Sequence, residues 1–352
     1  MAYTTINKSK DYFNTVLYTG NETNPKAITG VGFQPDFTWI KTRDTSGKPH
    51  MLFDVVRGVY KNVRSDTDIA EDTNNETLTA FGTDGFTLGN NGKTNLNGAA
   101  HVAWNWRAGN SQGSSNTDGD INTTYTSVNT TAGFSISQYT GNGSAGATVG
   151  QGLGAVPGLI LIKNLSSAST DWGVYHKSLG GTKALFLDLT AVADTNIKYF
   201  NNTDPTNQVF SLGTYNDENA NGENYIAYCF AEKTGYSSFG SYVGNGASDG
   251  SFIYLGFKPA FFMCKRTDSA NNWTMYDNKR NNAFNEVTHT LIANAADTEA
   301  TSTSDDDCDF LSNGVKMRCS NNGSNGSNAN YVYMAFAEAP LVGTNNIPCT
   351  AR

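Results

Sequence analysis

The sequence predicts an all-β protein made of three tandem β-sandwich repeats, jelly-roll or lectin-like. Three observations carry that reading. Aromatic residues make up 12% of the 352 residues, and Gly numbers 36 with Asn more numerous still. Such a mixture describes short strands joined by tight turns, and no long stretch spaces apolar residues as a helix would. Finally, one segment is written three times: GFQPDFTWIK at 32–41, GAVPGLILIK at 154–163 and GFKPAFFMCK at 256–265.

Each copy follows the same order of landmarks. It opens on YTGN (18–21), YTGN (139–142) or YVGN (242–245). The Gly-x-x-Pro element begins 14, 15 and 14 residues after that Tyr, and a lysine (Lys41, Lys163, Lys265) stands six past each Pro. Then come MLFD (Asp54), GVYH (His176) and TMYD (Asp277), a Gly-rich turn, and a closing strand: HVAWNWRA, YIAYCFAE or YVYMAFAE. The closing strand alternates. Ile226, Tyr228 and Phe230 share one face, while Tyr225, Ala227, Cys229 and Ala231 share the other. The LILI of the second Gly-x-x-Pro element is apolar on both faces and predicts a central strand packed above and below. Its Pro falls at the strand's start, where a missing N–H does least damage.

The predicted boundaries are an N-terminal arm (1–11), repeats at 12–109, 132–235 and 236–342, and a C-terminal tail (343–352). The Ser/Thr/Asn/Gly stretch 110–131 reads as an extended or partly flexible linker. Repeats two and three, joined more tightly, are expected to pack as one body.

The landmarks YTGNGSAG, WGVYHKSLG, YIAYCFAEKTGYSSFGSYVGNG and YMAFAEAP resemble a domain family of predicted tail-fibre and other structural proteins of marine tailed bacteriophages. The resemblance spans roughly residues 12–342 and implies a virion part without a catalytic residue. Repeat one departs most, with HMLFDVVRG and HVAWNWRAG at those positions. The implied partners are other virion proteins and a host-surface polysaccharide or outer-membrane receptor. The expected assembly is a homotrimer or a pseudo-threefold monomer. Two alternatives stand beside the tail fibre: a head-decoration protein and a glycan-cleaving tailspike.

Charge and cysteine usage narrow the field. Net charge is -8 with scattered Lys and Arg, against the basic stripe that nucleic acid demands. MAYTTINKSKDYFN lacks the basic start and apolar core of a secretory signal, and the stretch around VPGLILI is too short to cross a bilayer. An Asn/Gly/Thr surface is nonetheless extracellular in character; a virion part made in a host cytoplasm and released by lysis reconciles the two. The five cysteines are odd in number and irregular in spacing, with Cys308 and Cys319 the one pair worth considering.

Candidate chemistry is sparse. There are four histidines, none recurring across the repeats, and His176 reads as a surface or turn residue. The acidic groups Asp66, Asp68, Glu71, Asp72, Asp217 and Glu218 read as solvated loops, and no cofactor is expected. The run 305–309 offers weak calcium binding at most, lacking the spacing of a dedicated loop. Each repeated lysine is expected to end its strand and carry its charge to water. Trp172 and Trp273 occupy matching positions, where repeat one has His50; they are core residues or, if exposed, platforms for a sugar ring. The Asn-rich tips before each closing strand supply turn chemistry and a candidate recognition surface, with Asn219, Asn221, Asn325 and Asn328 as glycan contacts.

Overall fold

A computed structural model describes residues 3–281, 285–301, 306–343 and 347–350 of the chain. After a short 3-10 turn at Ser9–Asp11, the first third runs β1 (Phe13–Thr19), β2 (Lys26–Thr29), β3 (Phe37–Thr42) and β4 (Met51–Asp54). It continues with the short pair β5 (Lys61–Asn62) and β6 (Asp72–Thr73), then β7 (Leu78–Gly82), β8 (Gly85–Leu88) and β9 (Ala100–Trp106). The second third holds β10 (Tyr125–Asn129), β11 (Phe134–Thr140), β12 (Thr148–Gly150), β13 (Pro157–Asn164) and β14 (Gly173–His176). It ends with β15 (Lys183–Phe186), β16 (Asp194–Thr195), β17 (Val209–Ser211), the single helical turn α1 (Asn216–Asn219) and β18 (Asn224–Ala231). The last third holds β19 (Ser237–Val243), β20 (Phe252–Tyr254), β21 (Phe257–Arg266) and β22 (Trp273–Asp277). After it come β23 (Leu291–Ile292), β24 (Cys308–Leu311), β25 (Gly314–Met317) and β26 (Asn330–Pro340).

Three large antiparallel sheets share one strand order. They contain β1-β9-β3-β4, β11-β18-β13-β14 and β19-β26-β21-β22, extended in the second by β10, β15 and β16 and in the third by β23. Registers match as well: Phe37 pairs with Trp106, Leu159 with Phe230, and Phe261 with Phe336. The ladders of β13 and β21 shift register beside Pro157 and Pro259, where proline has no N–H to donate.

Strand alternation sends the two faces of each large sheet to different cores. One face meets a small sheet of its own: β2-β8-β7, β12-β17 or β20-β25-β24. Ile40, Met51 and Phe53 line the first private core, Ile160, Ile162 and Ala227 the second, and Phe262, Cys264 and Tyr333 the third. The opposite faces converge on one shared core, to which Trp39, Trp104 and Trp106, Leu161, Tyr228 and Phe230, and Met263, Met334 and Phe336 all belong. This two-sided burial explains why the Gly-x-x-Pro strands are apolar on both faces.

At the centre stand three residues from equivalent positions. The rings of Trp106, Phe230 and Phe336 form a triangle, with centroids 6.3 Å (Trp106–Phe230), 5.6 Å (Trp106–Phe336) and 5.8 Å (Phe230–Phe336) apart. Phe336 also touches Phe13, Tyr236, Phe239 and Phe261. The second and third sheets pack against each other, as their short connection led one to expect, and the first joins the same body through the shared core.

The stretch 110–131 also differs from expectation. Its residues 125–129 form β10 on the edge of β11, Thr126 N donates to Ser114 O (2.7 Å), and Ile121 is buried. A polar segment can be ordered when its backbone completes a sheet edge, which composition does not reveal.

Replacing Phe336 by Ala removes a ring that touches all three sheets. It is expected to lower unfolding free energy by about 3–5 kcal/mol in a urea titration, whereas Phe252→Ala on the surface should stay within about 0.5 kcal/mol.

Candidate functional site

The residues singled out by the sequence lie mostly where the sheets meet. Trp172 and Trp273 are fully buried in the shared core and present no face to a sugar. Each indole N–H crosses to a neighbouring sheet's backbone: Trp172 Nε1 donates to Arg64 O at 2.8 Å, and Trp273 Nε1 to Phe186 O at 2.7 Å. In the first sheet His50 takes this place, with Nε2 2.9 Å from Ile292 O. The contacts run second to first, third to second and first to third, which closes a ring.

His50 performs this role only as a neutral ring. Its Nδ1 accepts from Trp39 Nε1 at 2.8 Å, so the bond to the carbonyl assigns the proton to Nε2. Burial, reinforced by the Lys41 charge, holds its pKa well below the usual histidine value. The equivalents of Trp39 are Leu161 and Met263. The first sheet has thus moved its indole one strand over and filled the vacated place with imidazole.

The three lysines do not reach water. Their parity places them on the same face as Phe37, Leu159 and Phe261, and all three are buried. Lys41 Nζ donates to Thr42 O (3.0 Å) and Lys48 O (2.9 Å). Lys163 Nζ reaches Thr170 O and, across the sheet boundary, Asp68 O (3.2 Å). Lys265 Nζ reaches Arg266 O (2.7 Å) and, likewise across, Thr190 O (3.2 Å). Burial lowers Lys41 and Lys265 to about 8. It lowers Lys163 too, against the pull of Asp188, Asp217, Asp68 and Asp171.

A second ring joins the far ends of the same strands. Asp54 accepts from Tyr228 Oη (2.7 Å), Asp277 accepts from Trp104 Nε1 (2.9 Å), and His176 Nε2 lies 3.0 Å from Tyr333 O. The two aspartates are each held by an arginine three residues on, Arg57 and Arg280, at 2.5 Å. Burial pushes the Asp277 carboxyl up, but Arg280 overrides it and leaves the pKa below its ordinary value. His176 is therefore an interface residue and not a surface one, lowered to about 4 by burial.

The Asn-rich tips have a common internal frame. Tyr18 stacks on His101, Tyr139 on Tyr225 and Tyr242 on Tyr331, at 4.9, 5.2 and 4.9 Å. The first ring's hydroxyl closes the tip by donating to Thr94 O, Glu218 O or Ser324 O. A buried asparagine pins each tip: Asn95, Asn219 or Asn325 donates to Gly89 O, Gly213 O or Cys319 O. It also accepts from the N–H of Asn21, Asn142 or Asn245. Gly20, Gly141 and Gly244 leave no room for a Cβ against the tip backbone. That is why Tyr-x-Gly-Asn is written three times. Asn219 and Asn325 are consequently structural, whereas Asn221 and Asn328 are exposed. Asn328 sits at φ 54°, where the other tips have Gly98 and Gly222.

A model for a domain of unknown function, DUF7483, matches residues 8–340. The chain belongs to the DUF7483 family. The match takes in every strand of the three large sheets. Neither a curated protein nor a solved structure matches the chain.

The remaining candidates in this DUF7483 chain are held internally. Asp217 and Glu218 are buried, contrary to their expected place in solvated loops. Burial raises Asp217 to about 6 and drives Glu218 well above its ordinary value; neither Glu218 oxygen meets a hydrogen-bond partner among the described residues. Burial likewise raises Asp66 to about 6 and Asp188 to about 7. Asp305 lies outside the described residues; of its neighbours, Asp309 is paired with Arg318 (2.6 Å) and Asp306 accepts from Ser324 Oγ (2.9 Å). No group of three potential ligands for a metal occurs among the described residues. All five cysteines are free thiols, Cys308 and Cys319 included. Sequence parity alone could have placed the lysines and His176 inward; nothing in the sequence announced the buried Glu218.

The neutral His50 makes a pH prediction. Its folded pKa lies below its unfolded value of about 6.5, so its contribution is complete above pH 6.5 and falls as pH drops toward the folded pKa, by up to about 1.4 kcal/mol per pH unit. In His50→Gln, which keeps a donor without titrating, the fall in stability measured by denaturant titration between pH 6.5 and 5 should be shallower than in wild type.

Proposed function

We propose that this chain is a non-enzymatic structural protein of a tailed-phage particle, carried on a tail fibre or tail tip. The observation that carries the reading is the cyclic closure of three like sheets about the Trp106–Phe230–Phe336 triangle. One chain thereby offers three quasi-equivalent faces, as a pseudo-threefold monomer on a symmetric site requires. His50, His101, His176 and the three lysines, which a hydrolase would turn toward substrate, are all buried. Contact with a host-surface glycan falls to the exposed amides of Asn221 and Asn328.

Attachment to the particle falls to the third sandwich. Phe252, Tyr254 and Val243 are 46%, 58% and 54% exposed, and Ser251 Oγ ties their two strands together by donating to Val243 O. Exposed apolar side chains gathered on one side mark docking surfaces. The same edge suits a head-decoration protein seated on a capsomer, which is the second reading.

Immunogold electron microscopy of source virions, with antibodies to the recombinant chain, separates these readings. Gold on the tail is the expected result. Gold over the head would replace the tail reading with decoration, and no gold on intact particles would overturn both.

A further inference from the structure

The three large sheets end on three equivalent edges, and among the described residues one of them, that of β11, carries a further strand. The β11 edge carries β10, paired antiparallel from Tyr125↔Gln138 to Asn129↔Phe134, with Thr124 N donating to Gln138 O at 2.7 Å. The polar stretch leading into β10 also reaches the first third, where Gln112 Nε2 donates to Val56 O at 2.7 Å. The β19 edge is blunted by its own chain: Phe239 N donates to Glu232 Oε1 (3.3 Å), Ser251 Oγ to Val243 O (2.6 Å), and Ser237 N to Lys233 O (2.9 Å).

Among the described residues the β1 edge has no such cover. Tyr12 O accepts from Arg107 N, and Gly20 N donates to Ala99 O, so even-numbered residues face β9. Thr15, Leu17 and Thr19 then turn their N–H and C=O groups outward, where no strand pairs with them among the described residues. They open onto a groove of about 600 Å³ bordered by Lys10, Asp11, Asn14, Leu17, Val31 and Lys279. Leu17 is 42% exposed at its floor. An uncovered edge is a template for another strand.

We propose that the β1 edge is a strand-acceptor site for an extended, carboxylate-bearing segment of a partner polypeptide. The filled β11 edge sets the class of occupant: a short extended chain, antiparallel, polar toward solvent. Charge sets its sign, because Lys10 and Lys279 at the rim outnumber Asp11 and all three are exposed. The proposal holds wherever on a particle, or off it, the chain resides.

The test uses the full chain and two synthetic peptides: residues 122–131 (NTTYTSVNTT), and the same peptide with an added Asp at each end. Amide hydrogen exchange is followed at Thr15, Leu17 and Thr19. At a peptide concentration about nine times its dissociation constant, exchange at these amides should slow about tenfold. The Asp-ended peptide should bind more tightly than the other at low salt, and Lys279→Glu should remove that difference. Leu17→Pro should abolish the protection while leaving the near-UV spectrum unchanged, because its N–H points away from β9. Absence of protection by either peptide at millimolar concentration, or equal protection in Leu17→Pro, would overturn the proposal. So would dimerisation of the free chain that Leu17→Pro abolishes, since the edge would then be closed by a second copy.

Discussion

The meeting of Trp106, Phe230 and Phe336 is the constraint from which the rest of the structure follows. Three aromatic side chains at one register position can touch only if three sheets turn the same face inward. That arrangement buries each large sheet on both sides and leaves the polar ends of its strands without water. Buried polar groups need partners, and here the partners come from the next sheet. The indoles of Trp172 and Trp273 and the imidazole of His50 each reach a foreign carbonyl. Lys163 and Lys265 do the same with their ammonium groups. The aromatic centre supplies the burial, and the rings of hydrogen bonds fix how the sheets are placed around it.

Much of this was legible in the residues. Period-two alternation in YIAYCFAE sorted Tyr228 and Phe230 from Tyr225 and Cys229, and they do occupy different cores. The double-sided apolar strands announced packing on two faces. The Tyr-x-Gly-Asn landmarks marked the tips, though their meaning needed three dimensions: the Gly makes room for a backbone and the Asn N–H meets a buried amide. Polar residues misled most. A lysine after an apolar strand ordinarily solvates its charge, yet Lys41, Lys163 and Lys265 are enclosed because neighbouring loops offer carbonyls that no local pattern encodes. Asn219 and Asn325 were misread for the same reason, as was the segment 110–131, whose strand β10 depends on the edge beside it.

Departures from the threefold pattern separate the thirds from one another. The first sheet exchanges indole for imidazole at His50 and balances it with Trp39, which makes that interface sensitive to acid. The second covers its edge with β10, and the third gathers exposed apolar residues at Phe252 and Tyr254. The threefold pattern thus holds in the cores and lapses at the interfaces and edges.

The shared core ties the three sheets into a single cooperative body. Differential scanning calorimetry of the full chain reads out that cooperativity. One endotherm whose calorimetric and van't Hoff enthalpies agree is expected, because no sheet can leave without exposing the shared core. Two or three resolved transitions would contradict it, and would mean that each third is held by its private core alone.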